Sequence, residues 1–335
     1  MKKWLLFLAK LAFTVACLWW ALKGQHLEES ASFWPENPEW GWALAAIALG
    51  GITVFLSAFR WWLLLLAQGI PVGLGRVTQL TLIGGLFNLM GVSSVTGDAA
   101  KIFLLIRDHP DHKLAVTMSV LVDHLVGLVA MSLTFFAVTA GRFQAVQSQS
   151  ELGKTAIKFG WVYFSGGLVV IALMFVMASP WVNDRIHKRV TNPRIAKMRK
   201  VPDIYDVFRK KWKLVLPALV ASIVMLPIYY ATFWCGVRFV GSDTGFLSVF
   251  AAMPVVDATS AMPVSISGIG VREIALKTLM SDLVRLEPGI SVLGSLVGFA
   301  TGTLFWAFAG GLLFLRPSDR TSMKEIEETT QEAEA

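Results

Sequence analysis

Two short stretches hold the charged residues that are hardest to place in this chain. Gly97-Asp98-Ala99-Ala100-Lys101 and Gly268-Ile269-Gly270-Val271-Arg272-Glu273 each set acids and bases beside glycines, and each interrupts an apolar run. A helix that starts after such a break presents free backbone N–H groups at the positive end of its dipole. With a cation in its first turn it suits a phosphate or another anion. Lys101 and Arg272 are those cations, and Gly268 and Gly270 allow close approach to the backbone. Thr96 or Asp98 can cap the first of these helices. The binding residues expected on this basis are Gly97, Asp98, Lys101, Ser265, Ser267, Gly268, Gly270, Arg272 and Glu273. A plainer reading stands beside it: Asp98 with Lys101, and Arg272 with Glu273, neutralise each other and tie the breaks to their neighbours.

Asp123, His124 and Asp257 are further ionisable residues inside apolar runs. A histidine titrates near neutral pH, so these three are candidates for a proton relay; a packed, hydrogen-bonded role is the alternative. Other chemistry finds no support. There is no His-Glu-x-x-His zinc site, no Gly-x-Ser-x-Gly elbow and no phosphate-binding Gly-x-x-x-x-Gly-Lys-Ser/Thr loop. No catalytic residue, metal or cofactor is expected. The two cysteines, Cys17 and Cys235, sit inside apolar runs, where a structural disulfide is not expected.

The segments that must position these residues are those of a membrane protein. Apolar residues make up 55% of 335 positions and charged residues only 16%, with a mean hydropathy of +0.61. Soluble domains are near a quarter charged. A span needs about 20 apolar residues to cross a core of about 30 Å. Full spans are expected over about Lys3–Leu22, Trp40–Gln68, Leu114–Ala140, Phe159–Ala178, Leu214–Val240 and Ile290–Leu315. Shorter apolar stretches, Val77–Leu89 and Phe246–Ala261, precede the two breaks, and short helices, Ala99–Arg107 and Val271–Leu279, follow them. Arg60 reads as a snorkelling interface anchor. Trp19, Trp20, Trp34, Trp40, Trp61 and Trp62 read as an interfacial belt.

The formal charge of +7 is concentrated. Eleven Lys and Arg residues lie between Asn183 and Lys213, which by the positive-inside rule puts that loop in the cytoplasm. No nucleic-acid motif accompanies them. Lys2 and Lys3 start the chain on the same side. Counting crossings from these points requires residues 77–107 to begin and end inside and residues 246–279 to begin and end outside. Each is then a re-entrant hairpin, the two of opposite sense. The fold class expected is all-α: a polytopic membrane helix bundle of about six full spans plus two re-entrant hairpins forming an inverted repeat, as in many secondary transporters. One domain covers residues 1–316, with halves of about 1–140 and 159–316 and the basic loop at 183–213; residues 317–335 form an acidic disordered tail.

At the two breaks the sequence resembles the lysylphosphatidylglycerol synthase transmembrane (flippase-like) family. That family has an early Gly-acidic-x-x-basic segment, here Gly97-Asp98-Ala99-Ala100-Lys101. It also has a later Pro-x-Ser-x-Gly-Gly-x-Gly-x-Arg-Glu segment, here Pro263-Val264-Ser265-Ile266-Ser267-Gly268-Ile269-Gly270-Val271-Arg272-Glu273. Lys101 stands where Arg is frequent, Asp123-His124 where a Glu-Arg pair is usual, and Ser267 in place of one glycine. The soluble aminoacyl-transfer domain of the fused synthases has no counterpart after the last span, so lysyl transfer is not expected. The resemblance implies a stand-alone member that flips an anionic phospholipid or polyprenyl-phosphate-linked lipid across an inner or plasma membrane, multi-pass, with both termini cytoplasmic. Its partners would be that lipid and the membrane, with no nucleic acid. An accessory subunit of a lipid or glycan assembly pathway, or an enzyme acting on lipid headgroups, is the alternative.

Overall fold

The computed structural model describes residues 12, 14–17, 19, 38–90, 95–141, 150–177, 179, 207–260 and 265–315. The first expected span is represented only by residues 12, 14–17 and 19. Both break centres (91–94 and 261–264), most of the basic loop and the acidic tail lie outside the described residues.

The protein is an all-α polytopic helix bundle. Among the described residues the order is α1 (Trp40–Ala67), α2 (Leu74–Met90), α3 (Val95–Asp108), a 3₁₀ turn (Pro110–His112), α4 (Lys113–Gly141), α5 (Glu151–Met177), α6 (Trp212–Phe239), α7 (Phe246–Ser260), a 3₁₀ turn (Ile266–Gly268), α8 (Val271–Val284), α9 (Pro288–Phe299), a π-helical turn (Ala300–Leu304) and α10 (Phe305–Phe314). Among the described residues, five segments are long and apolar enough to cross a membrane: α1, α4, α5, α6 and the continuous α9–α10 unit. Their outer faces carry exposed large apolar side chains, including Leu44 and Phe55 on α1, Val162 and Leu173 on α5, Val220 on α6 and Phe308 and Leu312 on α10. A water-soluble surface does not tolerate so extensive an apolar face, whereas lipid does.

α1 lies along α6, α6 against α9, and α2 between α3 and α10; α7 packs on α8, α6 and α5. Two cores result. One is built around α2 and α3 with Trp61, Leu80, Phe87, Leu104 and Val116. The other is built around α7 and α8 with Phe135, Phe164, Phe233, Val256 and Leu276. Each short helix pair therefore has its own apolar setting.

Several boundaries differ from the sequence expectation for local reasons. α5 starts at Glu151 rather than Phe159, because Ser150 caps it: its hydroxyl accepts from the Gly153 N–H at 3.0 Å. Ser150 is itself held by the Asp282 carboxylate at 2.6 Å. α3 begins at Val95, before Gly97, so Thr96 and Asp98 lie inside the helix and not at its cap. α6 runs through Pro217 and Pro227, which a transmembrane helix tolerates when neighbours satisfy the freed backbone groups.

Two side chains read as interfacial are buried. Trp61 is 2% exposed and donates its indole N–H to Ser119 Oγ at 3.1 Å. Arg60 does not snorkel: its guanidinium forks onto Asp123, with Nε to Oδ1 at 2.6 Å and Nη2 to Oδ2 at 2.7 Å, and reaches Ser222 Oγ at 3.3 Å. That pair joins α1, α4 and α6 inside the bundle. The sequence shows a lone Arg beside two tryptophans near a helix end; only the packing brings its partner from 63 residues away.

Candidate functional site: a cavity between two helix pairs

α2 and α3 approach at two glycines. A Cβ on Gly97 would collide with the Gly84 carbonyl oxygen and the Asn88 amide, so only glycine fits. The Gly97 N–H donates to Asn88 Oδ1 at 2.9 Å. The Asn88 carbonyl accepts from Ser267 Oγ, at 3.3 Å, in the turn before α8. Asn88 thus connects the two helix pairs where their tips meet.

Beyond that junction lies a cavity of about 370 Å³. Its wall takes Thr53 and Ser57 from α1, Thr81 and Asn88 from α2, Lys101 from α3, Tyr229 from α6, Asp257 from α7 and Trp306 from α10, with Leu82, Met131 and Leu226 between them. Thr53 and Thr81 donate to carbonyls of their own helices. The Asn88 amide oxygen is occupied by Gly97. The donors left to the cavity include the Lys101 ammonium, the Asn88 NH₂ group and the hydroxyls of Ser57, Tyr229 and Thr303.

Lys101 belongs to a chain of three charges. Its ammonium lies 3.2 Å from Asp98 Oδ1, and Asp98 Oδ2 lies 2.7 Å from His124 Nε2. Lys101 and Asp98 side chains are 15% and 12% exposed, while His124 is 61% exposed. Lys101 also stands 5.6 Å from the centre of the Trp61 ring, a favourable cation–π placement. One carboxylate contact leaves most of the ammonium's three donors available.

The second break is arranged differently. Arg272 turns onto its neighbour Glu273: Nε and Nη2 reach Oε1 at 2.9 and 2.7 Å. Ser295 of α9 donates to the same oxygen at 2.9 Å. The other oxygen, Oε2, accepts the Gly270 N–H at 2.6 Å, closing the start of α8. The guanidinium lies 4.2 Å from the Phe299 ring and 5.3 Å from Phe233. Arg272 and Glu273 side chains are 4% and 0% exposed. The anion site expected at Gly270 and Arg272 is thus filled by the protein's own carboxylate. Of the two expected cations, only Lys101 lines the cavity.

The other expected residues fall around this frame. Gly268 (φ +74°) and Gly270 (φ +89°) supply left-handed turns, and Ser267 (φ +51°) takes a third. Ser265 is buried, its hydroxyl without a hydrogen-bond partner among the described residues. Asp123 is committed to Arg60 and His124 to Asp98, on adjacent residues that face apart. Their side chains therefore hold different partners. No group of three His, Cys, Asp or Glu residues that could hold a metal occurs among the described residues.

The profile described as Lysylphosphatidylglycerol synthase TM region matches residues 7–310. This chain belongs to that family. No curated protein sequence matches it. The family match covers both helix pairs and the cavity between them. Ser267 itself keeps the positive φ that favours glycine.

Three features of the site were missed in the sequence: Asn88 as the junction, the Arg60–Asp123 fork and Ser295 under Glu273. A lone Asn at the end of an apolar stretch, nine residues before Gly97, was a usable signal for the first. Nothing local marks the other two.

Proposed function

We propose that this protein translocates an anionic phospholipid or polyprenyl-phosphate-linked lipid across the cytoplasmic membrane, its phosphate drawn to Lys101. The observation that carries this reading is the position of Lys101. It is an incompletely paired ammonium on the wall of a cavity inside a membrane bundle, with Asn88 and Ser57 as neighbouring donors. Donors that converge in a low-dielectric space favour an anion. Leu82, Met131 and Leu226 make part of the wall apolar, and Asp257 is the one acidic residue lining it among the described residues. Membership of a lipid-related membrane family supports the same substrate class.

The short helices fit a transport architecture. At 1.5 Å per residue, helices of 14–17 residues reach about 21–25 Å, less than the bilayer core of about 30 Å. We read α2–α3 and α7–α8 as re-entrant hairpins of opposite sense, related as an inverted repeat, with the cavity near the midplane. Both termini and the basic loop are cytoplasmic in this scheme, and the protein is a transporter rather than an enzyme.

Purified protein reconstituted with fluorescent phosphatidylglycerol provides the test. Protein-dependent flipping is expected, with an anionic lipid retained on purification. Absence of both would refute the reading.

A further inference from the structure

Building on that reading, we propose that the cavity binds a proton at Asp257 together with its anionic lipid, making the proton a co-substrate of translocation. Among the described residues five buried or half-buried carboxylates lie in the bundle; Asp282 holds Ser150, and three more are held by cations. Asp98 is held by Lys101 and His124, Asp123 by Arg60, and Glu273 by Arg272, Ser295 and the Gly270 N–H. Asp257 is different: it has no ion pair among the described residues, and it lines the same cavity as Lys101.

Compensation of the Asp257 charge is only partial: the Tyr230 phenol faces its carboxylate and Arg272 acts on it from α8. α7 carries no other charged residue. From α6 come the phenols of Tyr229 and Tyr230, and from α5 that of Tyr163. From α8 comes Arg272, already neutralised by Glu273. α4 contributes Met131 to the cavity, and α1 contributes uncharged residues. Lys101, across the cavity, is engaged by Asp98. An ionised Asp257 then has no direct ion-pair partner among the described residues, which is costly inside a membrane protein. A phosphate arriving at Lys101 would add a second anion to the same 370 Å³, where repulsion is weakly screened. One proton on the Asp257 carboxylate relieves both. Only an O–H bond forms, its proton taken from water and returned to water on release. Because binding is reciprocal, proton and phosphate raise each other's affinity by the same factor.

The experiment measures binding of phosphatidylglycerol in nanodiscs against pH, with infrared difference spectra of the carboxyl C=O band. Wild type is expected to lose about tenfold in affinity per pH unit once Asp257 ionises, and to lose the protonated-carboxyl band over the same range. Asp257→Asn should bind with a flat profile and lack the band. Asp257→Glu should keep the slope, as should His124→Ala. A flat wild-type profile, no band assignable to Asp257, or a slope that survives Asp257→Asn would overturn the proposal. Should phosphatidylglycerol bind with no pH slope, only the proton coupling fails. Should neither it nor any co-purified anionic lipid bind, the lipid-transport reading fails and the coupling with it.

Discussion

The two short helix pairs carry similar charges and use them in opposite ways. In α2–α3, Lys101 meets one carboxylate oxygen and faces a cavity, and the acid it touches is shared with a histidine that is largely exposed. In α7–α8, Arg272 and Glu273 consume each other, and Ser295, Gly270 and two phenyl rings close over them. Intramembrane charge is therefore no sufficient sign of a ligand site. What matters is whether the donors are spent. A guanidinium fork matches a carboxylate so well that an adjacent Glu satisfies it, whereas an ammonium on a flexible stem keeps donors in reserve.

The contrast is broken most severely at Arg272. Arg272→Ala leaves Glu273 buried without its counter-charge, and loss of one partner of such a pair costs about 3–5 kcal/mol. Thermal unfolding in detergent should drop sharply and folded yield with it. Replacing both, Arg272→Gln with Glu273→Gln, should recover much of that loss, because no charge is stranded.

Lys101 should behave in the reverse way. Lys101→Ala is expected to fold with near-normal yield and to weaken anionic-lipid binding by about ten- to a hundredfold, the equivalent of about 1.5–3 kcal/mol for a charge-assisted contact. Lys101→Arg should retain much of the binding. A smaller effect is expected at Asp98. Asp98→Asn removes the anion that holds Lys101 and His124, so binding should change by less than tenfold while the salt dependence of that binding shifts. The smallest effect belongs to Ser267. Glycine there relieves a left-handed conformation costing about 1 kcal/mol but removes the bond to Asn88. Ser267→Gly should alter stability by no more than about 1 kcal/mol, read as a small shift in unfolding temperature.

Much of the fold is legible in the sequence, because a bilayer enforces long apolar runs and breaks stand out against them. Trp40–Ala67 and Trp212–Phe239 fall within a few residues of the expected spans. Helix starts set by a single side chain are less visible, as at Ser150, whose anchor Asp282 is 132 residues away. The site is half legible. Glycines and charges at the breaks mark where to look, but they cannot say which cation is spent. Arg272 and Glu273 are adjacent in sequence, so their pairing was a foreseeable alternative; the sealing by Ser295 and Phe299 was not. Arg60 shows the same limit, since a snorkelling anchor and a buried fork have the same local sequence.

The most direct measurement is anionic-lipid binding per folded molecule, compared between Lys101→Ala and the double variant Arg272→Gln with Glu273→Gln. Native mass spectrometry of detergent-purified protein reports it without depending on yield. The account predicts binding lost by at least tenfold in Lys101→Ala and close to wild type in the double variant. Binding retained in Lys101→Ala and lost in the folded double variant would contradict it, and would return the phosphate to Arg272.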